Sequence, residues 1–188
     1  MGFGSMLETK RLKIRKFSFK DLNDIYKYLS DEAVQIPAGG RVIESIEEAQ
    51  KTLDRYMKRD DIFAIELKEE NKVIGAIGAY NLTYNNILER HLGFELNQKY
   101  WNQGYITEAA QHLIDYLFVE LQLDRVAISN YPFNKASSKV AEKLGFVKEG
   151  VLRKEDRLST GELVDRIVYS IIREEWSEKI EKSRNRSR

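Results

Sequence analysis

The sequence predicts a single α/β domain. Three observations lead there. A long helical stripe lies between two short apolar runs as a β-α-β unit, strand-like and helix-like segments mix along the chain, and no Pro- or Gly-rich linker divides its 188 residues. Only two prolines occur, Pro37 and Pro132, and neither separates two cores.

The elements follow in order. Met1 to Ser5 reads as an expression scar before a natural start at Met6, so residues 1–6 are set aside as an extension. Arg11 to Phe17 alternates Leu12 and Ile14 with basic residues, the period of a half-buried strand. Ser18 with Asp21 opens a helix to about Leu29, and the Pro37, Gly39, Gly40 cluster marks a loop over Ile36 to Arg41. Ser45 and Glu48 form a capping box for a helix to about Lys58. Strands follow at Ile62 to Leu67 and Val73 to Tyr80, turning near Asn71, and at Leu88 to Leu96.

The strongest element is a helix from about Tyr105 to Leu121. Its residues Ile106, Ala109, Ala110, Leu113, Ile114, Leu117, Phe118 and Leu121 recur at steps of three and four. A strand at Arg125 to Ser129 and a helix at about Asn134 to Leu144 come next. Strands at Phe146 to Arg157 and Leu163 to Ile172 flank a turn at Thr160-Gly161. The domain is expected to end near Trp176, with 177–188 a solvated basic tail.

Composition narrows the function. The formal net charge is +1, which argues against nucleic acid as the main partner. No cysteine is present, so disulfides, thiolate metal sites and a cysteine nucleophile are excluded. The two histidines, His91 and His112, form no ligand pair, and no metal site is expected; His112 beside the apolar stripe reads as structural. Neither a signal peptide nor a membrane-length apolar run is visible, so a cytoplasmic protein off the membrane is expected. Oligomeric state stays open between monomer and homodimer.

Chemistry gathers before the long helix, at Trp101-Asn102-Gln103-Gly104-Tyr105-Ile106-Thr107. The first amides of a helix lack partners within it, and the positive end of the helix dipole adds to them, so a turn entering a helix suits an anion. Gly104 lets backbone approach a phosphate, or simply makes the turn. No Gly-Lys-Ser/Thr follows, and the triple-glycine dinucleotide fingerprint is absent.

This segment resembles the acetyl-CoA-binding motif of the GNAT superfamily, Q/R-x-x-G-x-G/A. Gly104 takes the central glycine, Trp101 replaces Gln/Arg, and Ile106 replaces the last Gly/Ala. Trp101, Gly104-Tyr105 and Thr107-Glu108-Ala109 are similar to the RimJ/RimL branch. So are Asn134-Lys135-Ala136-Ser137 with Glu142-Lys143-Leu144-Gly145-Phe146 and Glu149-Gly150, the strand Leu92-Gly93-Phe94, and the opening Leu7-Glu8-Thr9-Lys10-Arg11-Leu12. The resemblance covers roughly Leu7 to Trp176 as one acetyltransferase domain.

It implies a central twisted mixed sheet in which Leu88 to Leu96 and Arg125 to Ser129 run parallel and splay apart around the pantetheine arm. Implied cofactor-binding residues are Phe94, Leu96, Trp101, Gln103, Gly104, Tyr105, Ile106, Thr107, Asn134, Ser137 and Lys139. The implied reaction moves acetyl from acetyl-CoA to a primary amine by direct attack, the amine being a protein N-terminus or a small molecule. Backbone N–H of Phe94 or Glu95 would hold the developing oxyanion. The tyrosine that many relatives use as acid is replaced by Ala141, and Ser137 stands where RimL-like enzymes place a thiolate-protonating serine. Asp156 matches their base, with His91 and Glu95 as rivals on one strand face; Glu155 beside Asp156 points the other way. Glu89, Glu95, Glu155 and Asp156 would line an acidic access for a cationic acceptor. The alternative is a catalytically silent CoA- or acyl-CoA-binding regulatory domain.

Overall fold

The computed structural model describes residues 7–81, 86–158 and 160–186. Its eight strands are β1 (Leu7–Glu8), β2 (Leu12–Arg15), β3 (Ile62–Leu67), β4 (Lys72–Tyr80), β5 (Glu89–Leu96), β6 (Arg125–Asn130), β7 (Val147–Arg157) and β8 (Leu163–Ile172). They form one sheet in the order β1-β2-β3-β4-β5-β6-β8-β7. Every neighbouring pair is antiparallel except β5 and β6. A parallel pair needs a crossover, and here it is the long helix α4 (Tyr105–Val119).

Helices cover both faces. Against one lie α4, α5 (Lys135–Lys143) and α6 (Arg173–Arg186), packed on Ile74, Ile77, Leu92, Val126 and Ile128. The α4 stripe runs buried from Tyr105 to Phe118, which is why this helix was so legible. The other face carries α1 (Leu22–Leu29), α2 (Glu32–Ala38) and α3 (Ile46–Lys58), where Ile25, Tyr28, Ala49 and Leu53 meet Ile62, Ala64 and Ala76. One ion cluster ties this layer to the sheet. Arg15 grips Asp21 with two N–H groups, at 2.8 and 2.9 Å, and Glu66 with a third at 2.6 Å.

Two helices and the two-residue strand β1 (Leu7–Glu8) differ from the sequence expectation. A loop is expected over Ile36 to Arg41 and no element at 32–35, yet α2 spans Glu32–Ala38 because Asp31 caps it, accepting from the Ala33 amide at 2.9 Å. Pro37 sits in its last turn and Gly39, at φ 75°, ends it. The expected solvated tail is helix α6 as far as Arg186. Trp176 stacks on Phe118 with ring centroids 5.1 Å apart and donates to Asp115 at 2.8 Å. Lys179 donates to Gln111 and to the Leu144 carbonyl, each at 2.8 Å. Among the described residues no helix is long and apolar enough to cross a membrane.

Candidate active site

The site begins where β5 and β6 part. Their parallel ladder runs from Glu89↔Arg125 to Leu92↔Ile128, yet β5 continues to Leu96 and β6 to Asn130. Beyond Leu92 the β6-facing edge of β5 is open. The Asn97 amide donates to Ile74 of β4 at 2.8 Å, and alternation along an antiparallel pair then turns Glu95 and Gly93 toward β4 as well. Phe94 and Leu96 therefore present their main-chain groups to the opening. Of the two amides expected to hold an oxyanion, that of Glu95 is used within the sheet, so Phe94 is left. The Leu96 carbonyl is also engaged, by the Trp101 indole N–H at 2.8 Å, and only its amide remains. Across the gap Asn130, 4% exposed, donates to the carbonyls of Tyr131 and Asn134 and to the Ser138 hydroxyl. Its side-chain oxygen is buried with no hydrogen-bond partner.

At the end of the opening lies the start of α4. Gly104 is its N-cap at φ 80°, and no side chain caps the helix. The amides of Tyr105, Ile106 and Thr107 thus lack intrahelical partners. The side chains of Tyr105 and Ile106 are buried, so only their backbone faces the site. Asn102, at φ 59°, adds a second left-handed residue to the turn. Arg11 holds the loop from the N-terminal strands: its guanidinium donates to the Gln103 carbonyl at 3.0 Å and to Glu108 at 2.7 Å, and lies over the Tyr105 ring at 4.2 Å. The Gln103 side chain turns back to the Lys99 carbonyl at 3.1 Å. A β-branched residue at φ 80° is strained by about 1–3 kcal/mol. Gly104→Val is therefore expected to lower the melting temperature and weaken CoA binding, readable by thermal shift with and without CoA.

On the β6 side, Asn134 caps α5 by accepting from the Ser137 amide at 3.1 Å and donates to the Pro37 carbonyl of α2 at 2.9 Å. Ser137 is 7% exposed, and its hydroxyl makes no hydrogen bond among the described residues. Lys139 is exposed on α5.

The base candidates separate clearly. Asp156 accepts from the Tyr131 hydroxyl at 2.8 Å and pairs with Arg166. The Tyr131 hydroxyl, the Arg157 amide and Arg166 hold its carboxyl below the usual range, so it is a poor proton acceptor. Glu155 is exposed. His91, partly buried, bonds Glu89 through Nε2 at 2.9 Å. Burial pushes its imidazole below the ordinary value; Glu89 opposes that shift, while Arg125 and Arg166 add to it. With its proton held at Nε2 by Glu89, the neutral ring carries its lone pair on Nδ1. Glu89 itself is 1% exposed and matched by Arg125, so it does not line an access as expected. Glu95 accepts from Gln35 at 2.8 Å and from the Tyr56 hydroxyl at 3.1 Å, and burial pushes its carboxyl up despite both bonds.

This open strand edge beside an uncapped helix start accompanies a match to known proteins. Residues 11–147 match the acetyltransferase (GNAT) domain. The chain belongs to the GNAT acetyltransferases. It is 36% identical over 176 residues to the uncharacterized N-acetyltransferase YnaD of Bacillus subtilis, covering 91% of this chain and 99% of that one. A solved GNAT-family acetyltransferase from Bacillus anthracis superposes with a TM-score of 0.82 at 32% identity, covering 90% of this chain and 99% of its own. The ribosomal-protein-S5-alanine acetyltransferase from Vibrio fischeri gives 0.74 at 26% identity, covering 92% and 98%.

Within this GNAT site four residues went unread in the sequence. Arg11 was read only as the start of a strand and as part of an opening motif, although it holds the turn before α4 from 92 positions away. Gln35 lay just before the expected loop, in a stretch with no element assigned, and Tyr56 lay on a helix that carried no diagnostic motif. Asn130 did carry a signal, as the second of two polar residues, after Ser129, that follow the apolar run Val126-Ala127-Ile128.

Proposed function

We propose that this GNAT protein is an acetyl-CoA-dependent N-acetyltransferase of the RimJ/RimL type that acetylates a primary amine by direct attack. The open edge of β5 beyond Leu92 carries this reading, because an extended amide-bearing arm can add there as a strand would. The buried, unpartnered oxygen of Asn130 fits such an arm, since it can accept from an amide N–H. The free amides of Tyr105 to Thr107 suit the attached diphosphate.

Acetyl-CoA supplies an activated thioester. In transfer, the amine nitrogen bonds to the acetyl carbon, the carbon–sulfur bond breaks, one amine proton leaves to a base, and the thiolate gains a proton. The Phe94 amide holds the charge that gathers on the acetyl oxygen; such donors contribute about 10²–10³ in rate. His91 lies three residues from Phe94, about 10 Å along the strand, so in this reading it collects the amine proton at Nδ1 through a short chain of waters. Ser137 delivers the thiolate proton, its hydroxyl being free for that bond.

The direct test is release of free thiol from acetyl-CoA with N-terminal peptides, polyamines and aminoglycosides as acceptors. Turnover with at least one class is expected; CoA binding with no turnover across the panel would favour a silent regulatory domain. Ser137→Ala is expected to lower kcat by about 10²-fold with unchanged CoA affinity. Full turnover in that variant would remove Ser137 from the reaction.

A further inference from the structure

We infer that the acceptor carries a second positive charge besides its reacting amine, and that Glu95 is where this charge binds. The inference rests on the N-acetyltransferase reading above and adds the class of acceptor to it.

Glu95, half-buried on β5, differs from the buried carboxylates of the fold. Asp21 and Glu66 are matched by Arg15, and Glu89 by Arg125. The partners of Glu95 are the neutral Gln35 and Tyr56, and it forms no ion pair among the described residues. Arg59, whose guanidinium lies 5.1 Å over the Tyr80 ring nearby, is engaged with Asp61 at 2.7 and 2.9 Å. Even a partly desolvated carboxylate without a counter-charge is costly, and its two oxygens offer about four acceptor positions, of which two are used by Gln35 and Tyr56. A cation from outside the chain completes it.

The surroundings suit a cation too. The Tyr80 ring lies so flat across the sheet that a Cβ on Gly78 would come within 2.3 Å of it and one on Gly93 within 2.9 Å. Tyr56 closes another side. The fully buried Tyr28 hydroxyl, close enough to interact with Glu95, has no hydrogen-bond partner among the described residues. Aromatic faces around a carboxylate attract ammonium and guanidinium groups alike.

The bound charge is not the reacting amine. An ion pair with Glu95 would hold that amine protonated, and only the neutral amine attacks. Direction agrees: the Phe94 amide faces the β5–β6 opening, while the Glu95 side chain faces α2 and α3. The acceptor therefore spans from the opening to this carboxylate, as a short alkyl diamine does.

The test compares butylamine with 1,4-diaminobutane and its longer homologues, in wild type, Glu95→Gln and Glu95→Asp. Thiol release and calorimetric binding in the presence of CoA are both read. Wild type is expected to prefer a diamine in kcat/KM by about 30-fold or more. Glu95→Gln should bring that ratio near one, mainly through KM, and Glu95→Asp should restore part of it. A wild type without preference, or a Glu95→Gln that keeps the ratio, overturns the inference. Should neither these amines nor the N-terminal peptides and aminoglycosides named above be acetylated, the acetyltransferase reading fails separately. Calorimetry then decides on Glu95 alone: equal diamine binding by wild type and Glu95→Gln overturns its role, and loss of binding in the variant supports it.

Discussion

Replacing His91 with glutamine is expected to lower kcat by about 10²–10⁴-fold at neutral pH while acetyl-CoA binds as before. Glutamine can still bond Glu89 but cannot take up a proton. The imidazole is held below its ordinary value, about 6.5, by burial with help from Arg125 and Arg166 against Glu89. It is therefore neutral and able to accept at pH 7. In wild type, kcat/KM should rise with pH through that depressed value and level off above it. The rising limb should vanish in His91→Gln. A variant that keeps both full turnover and the acidic limb would exclude His91 as the base. Glu89→Gln offers a finer check, since it leaves the ring but loosens the tautomer. Its expected effect is a smaller loss of kcat with a shifted limb.

Asp21→Ala is expected to destabilise the fold by about 3–5 kcal/mol, the largest stability effect foreseen for a single polar side chain here. Asp21 is 2% exposed; it takes both terminal N–H groups of Arg15 and also accepts from the Ser18 amide at 2.8 Å. Removal leaves Arg15 buried with half its partners and unties the start of α1 from β2. For a domain of this size each kcal/mol corresponds to about 2–4 °C in melting temperature. The pH dependence carries a second signature. Burial works to raise the Asp21 carboxyl, but Arg15 and Ser18 outweigh it and the net direction is down. This group's contribution is complete above the ordinary carboxylate range and is lost as pH falls through the lowered folded value. Wild type should thus lose stability on acidification more steeply than Asp21→Ala. Melting curves between neutral and acidic pH decide this, and a variant within 1 kcal/mol of wild type, on the scale of an exposed pair, would show the cluster to be weak.

Much of the architecture was legible because local periodicity reports burial. The α4 stripe, the alternation of β2 and the apolar run of β3 each reflect one face or both meeting a core. Two helices escaped for related reasons. In α2 the proline and the glycine pair outweighed the Asp31 cap, whereas the structure shows the proline accommodated in a final turn and the first glycine acting as the stop. In α6 Trp176 and Ile180 are the only apolar residues, and the helix is held by single side chains reaching Asp115, Gln111 and Leu144. No stripe records contacts of that kind.

By itself the sequence determined the α/β class and the strand–turn–helix around Gly104, because both depend on residue type and short-range spacing, while the candidates His91, Glu95, Ser137 and Asp156 came from the resemblance to the GNAT superfamily. Only the tertiary structure decided how those candidates differ. Asp156 is tied to Arg166 and Tyr131, His91 is set by Glu89, and Glu95 is enclosed by tyrosines without a matching cation. Proton affinity and charge balance depend on groups brought together from distant parts of the chain, and a linear pattern does not encode that proximity.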